Sequence, residues 1–176
     1  MKIYVASPLG FADSGREFYD GRLLPALRRA GHVVIDPWRL PSGAAVARAR
    51  RRPYGRARRD ALAAANADAA RGNQRAIDRA DAMVAVLDGV DVDSGTAAEI
   101  GYAFARGKPI VGYRGDVRLA GDNEGAIVNL QVEYFIRASG GTIVSRLADV
   151  QRALAALTRA RLGRRSARAS SSTRTR

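Results

Sequence analysis

The run Ala82-Met83-Val84-Ala85-Val86-Leu87 lies between Asp81 and Asp88 and contains no polar residue. A strand with no polar alternation has no face to give to water. It belongs inside a parallel sheet covered by helices on both sides. Shorter apolar runs recur at 3–6, 32–35, 110–113 and 142–145. Between them lie helical stretches at 15–30, 44–71 continuing through 72–80, 94–106, 126–138 and 146–160, with a break expected near Pro53-Tyr54-Gly55. Tyr19, Leu23, Leu24 and Leu27 share one face of the first helix, which Pro25 is expected to kink and Gly31 to end. The alternation predicts an α/β fold: a doubly wound parallel sheet of about five strands flanked by helices. Ligands bind such sheets beyond the carboxyl ends of the strands. Here those ends lead into residues 7–11, 36–38, 88–95 and 113 onward.

The chain has 176 residues, which fits one domain, read as a catalytic unit over 1–160 followed by a basic tail over 161–176 expected to be disordered. Cysteine is absent and His32 is the single histidine, so disulfides, thiolate catalysis, a multi-histidine metal site and a Ser-His triad all fall away. No metal and no cofactor is expected. The opening apolar run is too short for a signal peptide or a membrane span, which gives a cytoplasmic reading with no membrane partner.

The net charge of +13 raises the question of nucleic acid. The charge is concentrated, with seven arginines and no acid in 48–59 and seven more without an acid in 159–176. The remainder holds 16 basic against 17 acidic residues. A solvated helix face and a tail account for both segments. Neither interleaves aromatics with arginine as a stacking platform does, Tyr54 standing alone, which argues against nucleic acid as a partner.

The chemistry-bearing segment follows the apolar run. Asp88, Asp91 and Asp93 cluster beyond it, and Asp93 or Ser94 is placed to cap the next helix. Gly95 and Glu99 are four apart and share a helix face, so the missing side chain at Gly95 is expected to leave room beside the Glu99 carboxylate. Paired carboxylates in a cleft are the equipment of retaining glycosyl transfer, one attacking the anomeric carbon and the other managing the leaving group's proton. From the residues alone, a capping aspartate and a solvated glutamate are the favoured explanation of the segment.

The run Asp93-Ser94-Gly95-Thr96-Ala97-Ala98-Glu99-Ile100-Gly101-Tyr102-Ala103 with the following Gly107-Lys108-Pro109 closely resembles the nucleoside 2-deoxyribosyltransferase family. So do Asn73-x3-Ile77-x2-Ala80-Asp81 and the opening Ile3-Tyr4-Val5-Ala6-Ser7-Pro8-Leu9, and the likeness spans about 1–157. It implies a flavodoxin-like sheet and a double displacement in which Glu99 attacks C1′ of the deoxyribose. It further implies that Asp93 handles the proton at the leaving nitrogen and that Tyr4 orients the nucleophile. Ser7, Pro8, Leu9, Gly10, Ser94 and Gly95 fall at substrate-binding positions. Asn129 matches an asparagine lent by a neighbouring subunit to the sugar's 5′ end, which implies at least a dimer. Asn73 stands where some members carry a base-contacting aspartate, and an amide cannot yield a proton as a carboxylic acid does.

The implied partners are a nucleoside or deoxynucleoside and a free nucleobase. Hydrolysis of nucleosides or their 5′-monophosphates by the same glutamate is the alternative, and a basic nucleic-acid-binding protein is a more distant one. Several residues stay open between roles: Tyr4 as a plain strand aromatic, Asn129 as a helix cap, Trp38 as base-stacking or core edge, and Asp116 with Arg118 as lid or ion pair. His32 reads as structural.

Overall fold

The structure, a computed structural model, describes the backbone of residues 1–172 and the side chains of 1–41 and 43–160. Five parallel strands, β1 (Lys2–Ala6), β2 (Val33–Ile35), β3 (Ala82–Val86), β4 (Ile110–Tyr113) and β5 (Thr142–Val144), form one sheet in the order β2-β1-β3-β4-β5. That is the flavodoxin-like order, and its topological switch point lies between β1 and β3. Tyr4 is in register with Met83, and Ala6 with Ala85, so the carboxyl ends of the two central strands open side by side.

Strand parity sorts the core into two layers. Ile3, Val5, Ala82, Val84 and Val86 pack against α2 (Leu24–Arg29) and α7 (Leu147–Ser172). Tyr4, Ala6, Met83 and Ala85 pack against α4 (Arg56–Arg79), α5 (Ser94–Ala105) and α6 (Leu130–Ala138). All five residues of β3 are buried, as its unbroken apolar run requires.

The first expected helix divides into α1 (Asp13–Phe18), a π turn (Tyr19–Leu23) and α2. Pro25 has no N–H and its ring crowds the carbonyl four residues back. The backbone widens there, and the Leu24 N–H reaches back to the Tyr19 carbonyl. Gly31, at φ +79°, then closes α2, with the His32 N–H donating to the Leu27 carbonyl. Gly107 and Gly140 repeat the device before β4 and β5, each with positive φ and a bond from the next residue to a carbonyl five back.

The arginine-rich stretch breaks at Pro53-Tyr54-Gly55 as expected, into α3 (Ser42–Arg50) and α4. Two boundaries differ from expectation. The helix expected over 126–138 begins only at Leu130, because Asn129 caps it and Ile127 N–H is turned to the Glu133 carboxylate at 2.8 Å. The last helix is longer than expected: α7 is helical to Ser172, since Ala, Leu and Arg are strong helix formers and one internal glycine costs only about 1 kcal/mol. The expected disordered tail over 161–176 is corrected to that extent, and residues 173–176 lie outside the described residues. Among the described residues, no helix is long and apolar enough to cross a membrane.

Gly112, mid-β4, lets α6 and β5 approach: a Cβ there would lie 2.8 Å from Leu87 Cδ1 and 3.1 Å from Ile143 Cγ1. Gly112→Ala is expected to destabilise the fold by about 1–3 kcal/mol. In a urea titration this appears as a lower midpoint with an unchanged m value.

Candidate active site

Glu99 sits on α5 directly over the sheet face to which Tyr4 points. The Tyr4 hydroxyl donates to Glu99 Oε1 at 2.6 Å, and Asn73 Nδ2, from α4, donates to the same oxygen at 3.1 Å. Glu99 Oε2 accepts no hydrogen bond from the described residues. The asparagine therefore supplies a donor where an ionised aspartate would repel. Burial pushes the Glu99 carboxyl above its ordinary range; the bonds from Tyr4 and Asn73 oppose the rise and the Asp93 charge adds to it. Burial, followed by the Glu99 carboxylate, holds the Tyr4 phenol well above its usual range, so it remains a donor at any working pH.

The helices carrying Asn73 and Glu99 are clamped just beyond these residues. Tyr102, one turn after Glu99, donates its hydroxyl to Asp78 at 3.0 Å and receives Gln74 Nε2 at 3.2 Å. Arg106 pairs with Asp78 at 2.8 Å, and Lys108 Nζ caps the last turn of α4 at the carbonyls of Asp78 and Ala80, 2.8 and 2.7 Å away. Ile77 and Ala80 are buried, and Asp81 accepts the Lys2 N–H at 2.8 Å. The residues around Asn73 and the Gly107-Lys108-Pro109 turn thus fix the distance between the two helices.

Asp93 caps α5, its Oδ2 accepting from the Thr96 N–H at 2.9 Å and the Thr96 hydroxyl at 3.1 Å. A Cβ on Gly95 would come to 3.2 Å from that same oxygen. The space at Gly95 consequently abuts Asp93, whereas the expectation put it directly beside Glu99; the first turn of α5 folds the capping carboxylate back over the glycine.

Asp93, Gly95, Thr96, Asn73 and Glu99 form the polar side of a cleft of about 290 Å³, faced by Ser7, Phe11, Pro37, Trp38, Val46 and Ala69. Trp38 is firmly placed: its N–H meets Asp36 Oδ1 at 3.0 Å, its indole Nε1 donates to the Ser7 carbonyl at 3.2 Å, and the Phe11 ring stands edge-on at 4.7 Å. A Cβ on Gly10 would overlap the indole at 2.2 Å, so glycine is required there.

The cleft gathers Ser7, Asn73, Asp93, Gly95 and Glu99, with Tyr4 beneath it. Gly10 supports Trp38 from behind, and Leu9 faces a second cleft of about 360 Å³ on the other side of the loop. Pro8 and Ser94 are absent from the lining of both, and Asn129 caps α6, with Oδ1 accepting from Gln131 N–H at 3.1 Å. Sequence reasoning missed Phe11, Val46 and Ala69, because an apolar lining residue reads the same as a core residue until the helices are placed. Asp116 and Arg118 form an ion pair, with Arg118 Nε 3.0 Å from Asp116 Oδ1. Buried Arg114 ties the loops after β3 and β4 together through the carbonyls of Leu87, Gly89 and Arg118. His32, its Nδ1 buried without a partner and its pKa lowered by burial and then by the N-terminus, lies at the start of β2 away from both clefts.

The sequence pattern of the nucleoside 2-deoxyribosyltransferases matches residues 3–131, most of the chain and every residue of the site. The protein belongs to the nucleoside 2-deoxyribosyltransferase family. A conserved protein from Enterococcus faecalis V583 superposes with a TM-score of 0.59 at 26% identity, covering 87% of this chain and 96% of that one. A 2-deoxyribosyltransferase from Bacillus psychrosaccharolyticus superposes with a TM-score of 0.60 at 23% identity, covering 86% and 90%. A CMP N-glycosidase from Clostridium botulinum gives 0.51 at 18%, covering 89% and 99%. The last two likenesses establish the shared fold. No curated protein shows significant sequence similarity to this chain. Family membership makes the chain an enzyme of the nucleoside 2-deoxyribosyltransferase class.

A carboxyl held above its unfolded-state range lends the native state stability at low pH that is lost as pH rises through the native value. Glu99→Gln removes that ionisation while keeping an oxygen for Tyr4 and Asn73. The variant is expected to melt a few degrees above wild type near neutral pH, the gain closing below the ordinary glutamate range of about 4.3, where wild type is protonated as well. Calorimetry across that range checks it; a variant that melts lower near neutral pH contradicts burial as the dominant influence.

Proposed function

We propose that this protein transfers a 2-deoxyribosyl group between nucleobases by double displacement, with Glu99 as nucleophile. The supporting observation is the asymmetry of the Glu99 carboxylate: Oε1 is held by Tyr4 and Asn73, and Oε2 takes no hydrogen bond from the described residues. A carboxylate gripped at one oxygen is aimed with the other, which is what attack on an anomeric carbon asks for.

In the first step Oε2 forms a bond to C1′ and the glycosidic C1′–N bond breaks. The electron pair leaves with the base, and Asp93 manages the proton at the departing nitrogen. In the second step a nitrogen of the incoming base attacks C1′, its proton passes to Asp93, and the C1′–O bond to Glu99 breaks, restoring the free carboxylate. Trp38 and Phe11 offer the apolar surface for the flat base, and Ser7, Asn73 and Gly95 surround the reacting carbon. Asn129 serves a neighbour's site in this reading: only its Oδ1 is engaged, in capping, and its Nδ2 donates no hydrogen bond among the described residues. The active form is then at least a dimer.

The test is chromatographic. With 2′-deoxyinosine and adenine the expected product is deoxyadenosine, formed only when adenine is added. Base released equally without an acceptor, from the nucleoside or its 5′-monophosphate, would replace transfer by hydrolysis. Glu99→Ala is expected to lower turnover by about 10³-fold or more with the fold retained. Near wild-type release of base by that variant would sink the assignment.

The pH profile supplies an independent check. Glu99 acts ionised, so kcat/KM falls as pH drops through its pKa. The Tyr4 hydrogen bond lowers that pKa, so Tyr4→Phe is expected to move the acid limb to higher pH as well as reduce kcat. An acid limb that stays in place would assign it to another group.

A further inference from the structure

The α3–α4 hairpin reaches the cleft through Gly43, Val46 and Ala69, and its tip carries seven arginines between positions 48 and 59. We propose that this tip is a binding arm for single-stranded nucleic acid. It stands independently of the reaction at Glu99.

Charge is the first argument. No acid occurs between Asp36 and Asp60. Among the described residues the tip's single carboxylate contact is loose, Arg56 Nε to Asp60 at 3.7 Å with both side chains largely exposed. Arg48, Arg50, Arg51 and Arg59 are exposed and form no ion pair with any described carboxylate. Like charges crowded at the tip of one hairpin repel, and a polyanion laid across them relieves that repulsion while releasing its own counterions.

The aromatic ring is the second. Tyr54, at the turn itself, is 91% exposed, and the Arg58 guanidinium sits 4.1 Å over its ring. The turn is ordered by Arg52 Nη1 on the Ala57 carbonyl and Arg58 Nη1 on the Arg52 carbonyl, at 3.4 and 3.3 Å. An exposed ring backed by a guanidinium and surrounded by cations is a stacking platform in a phosphate-binding field. The sequence showed Tyr54 alone; the hairpin supplies its partner. An acidic peptide would use the guanidiniums and leave the ring idle. A lipid surface would ask for more apolar residues at the tip than Pro53 and Tyr54. A single strand uses both features, because its bases are unpaired and free to stack. Along α4, Ala69 in the cleft lining lies ten residues from Arg59, about 15 Å at the helical rise, so the tip stands within a few nucleotides' reach of the cleft.

Fluorescence anisotropy of the full chain with a labelled oligodeoxythymidylate, repeated over a salt series, tests this. The variant Arg48→Gln/Arg50→Gln/Arg51→Gln/Arg59→Gln keeps strong helix formers at exposed sites. It is expected to weaken binding about tenfold or more near 0.1 M salt and to flatten the dependence of log Kd on log salt by about 2–3, at roughly 0.7 per lost phosphate contact. Tyr54→Ala is expected to weaken binding about fivefold or more, with the salt slope unchanged. Deoxyribosyl transfer to free bases should be unaltered in both. Unchanged binding in either variant overturns the proposal. So does displacement of the oligonucleotide by polyglutamate or by phosphatidylserine vesicles at equal charge, which would make the arm a peptide or membrane contact.

Discussion

The site rests on one arrangement: a glutamate on α5 whose carboxylate is held at a single oxygen by a phenol from β1 and an amide from α4. Burying a carboxylate is costly unless its oxygens find donors. Three elements have to meet to provide them, so the position of Glu99 depends on the whole half of the sheet that faces α4 and α5. Strand parity is what aims Tyr4 into that half, because Ile3 and Val5 take the opposite face. A one-residue slip of β1 would turn the phenol to the other layer and leave Glu99 with one donor.

The clamp around Asp78 gives this arrangement rigidity. Tyr102, Arg106, Gln74 and Lys108 join the end of α4 to α5 within about three turns of Asn73 and Glu99. Most of these contacts are partly exposed, and single exposed ion pairs contribute little. Their value is geometric: they hold two helices at the spacing that a 3.1 Å amide–carboxylate bond needs. On the other wall, Gly10, Trp38 and Asp36 do the same for the apolar side, the missing side chain of Gly10 leaving room for the indole that Asp36 pins by its backbone.

Much of this was legible in the residues. The strand positions followed from apolar runs too short and too continuous to be helices, and the helix ends from Gly31, Gly107 and the cap at Asp93. Where reading failed, the cause was competition between local signals. Ala126 to Asn129 looked helical, yet the Ile127 N–H found a carboxylate on Glu133. The serine- and arginine-rich end looked unstructured from composition, yet its alanines and arginines continue α7. Pro25 was read as a kink, and the backbone answered with a widened turn that keeps Tyr19 and Leu23 in the core.

The amino-acid sequence by itself determined the alternation of strands and helices, the placing of Asp93 and Glu99 at the mouth of β3, and the exclusion of cysteine and multi-histidine chemistry. These follow from local patterns, whose periods and spacings are written along the chain. Tertiary structure alone decided that Tyr4 and Asn73 share one oxygen of Glu99, that Gly95 opens against Asp93, that Trp38 and Phe11 face them, and that Arg58 covers Tyr54. Each of those, save the first turn of α5 and the hairpin tip, joins residues more than twenty positions apart. Such contacts depend on strand order and helix packing, which no local pattern encodes.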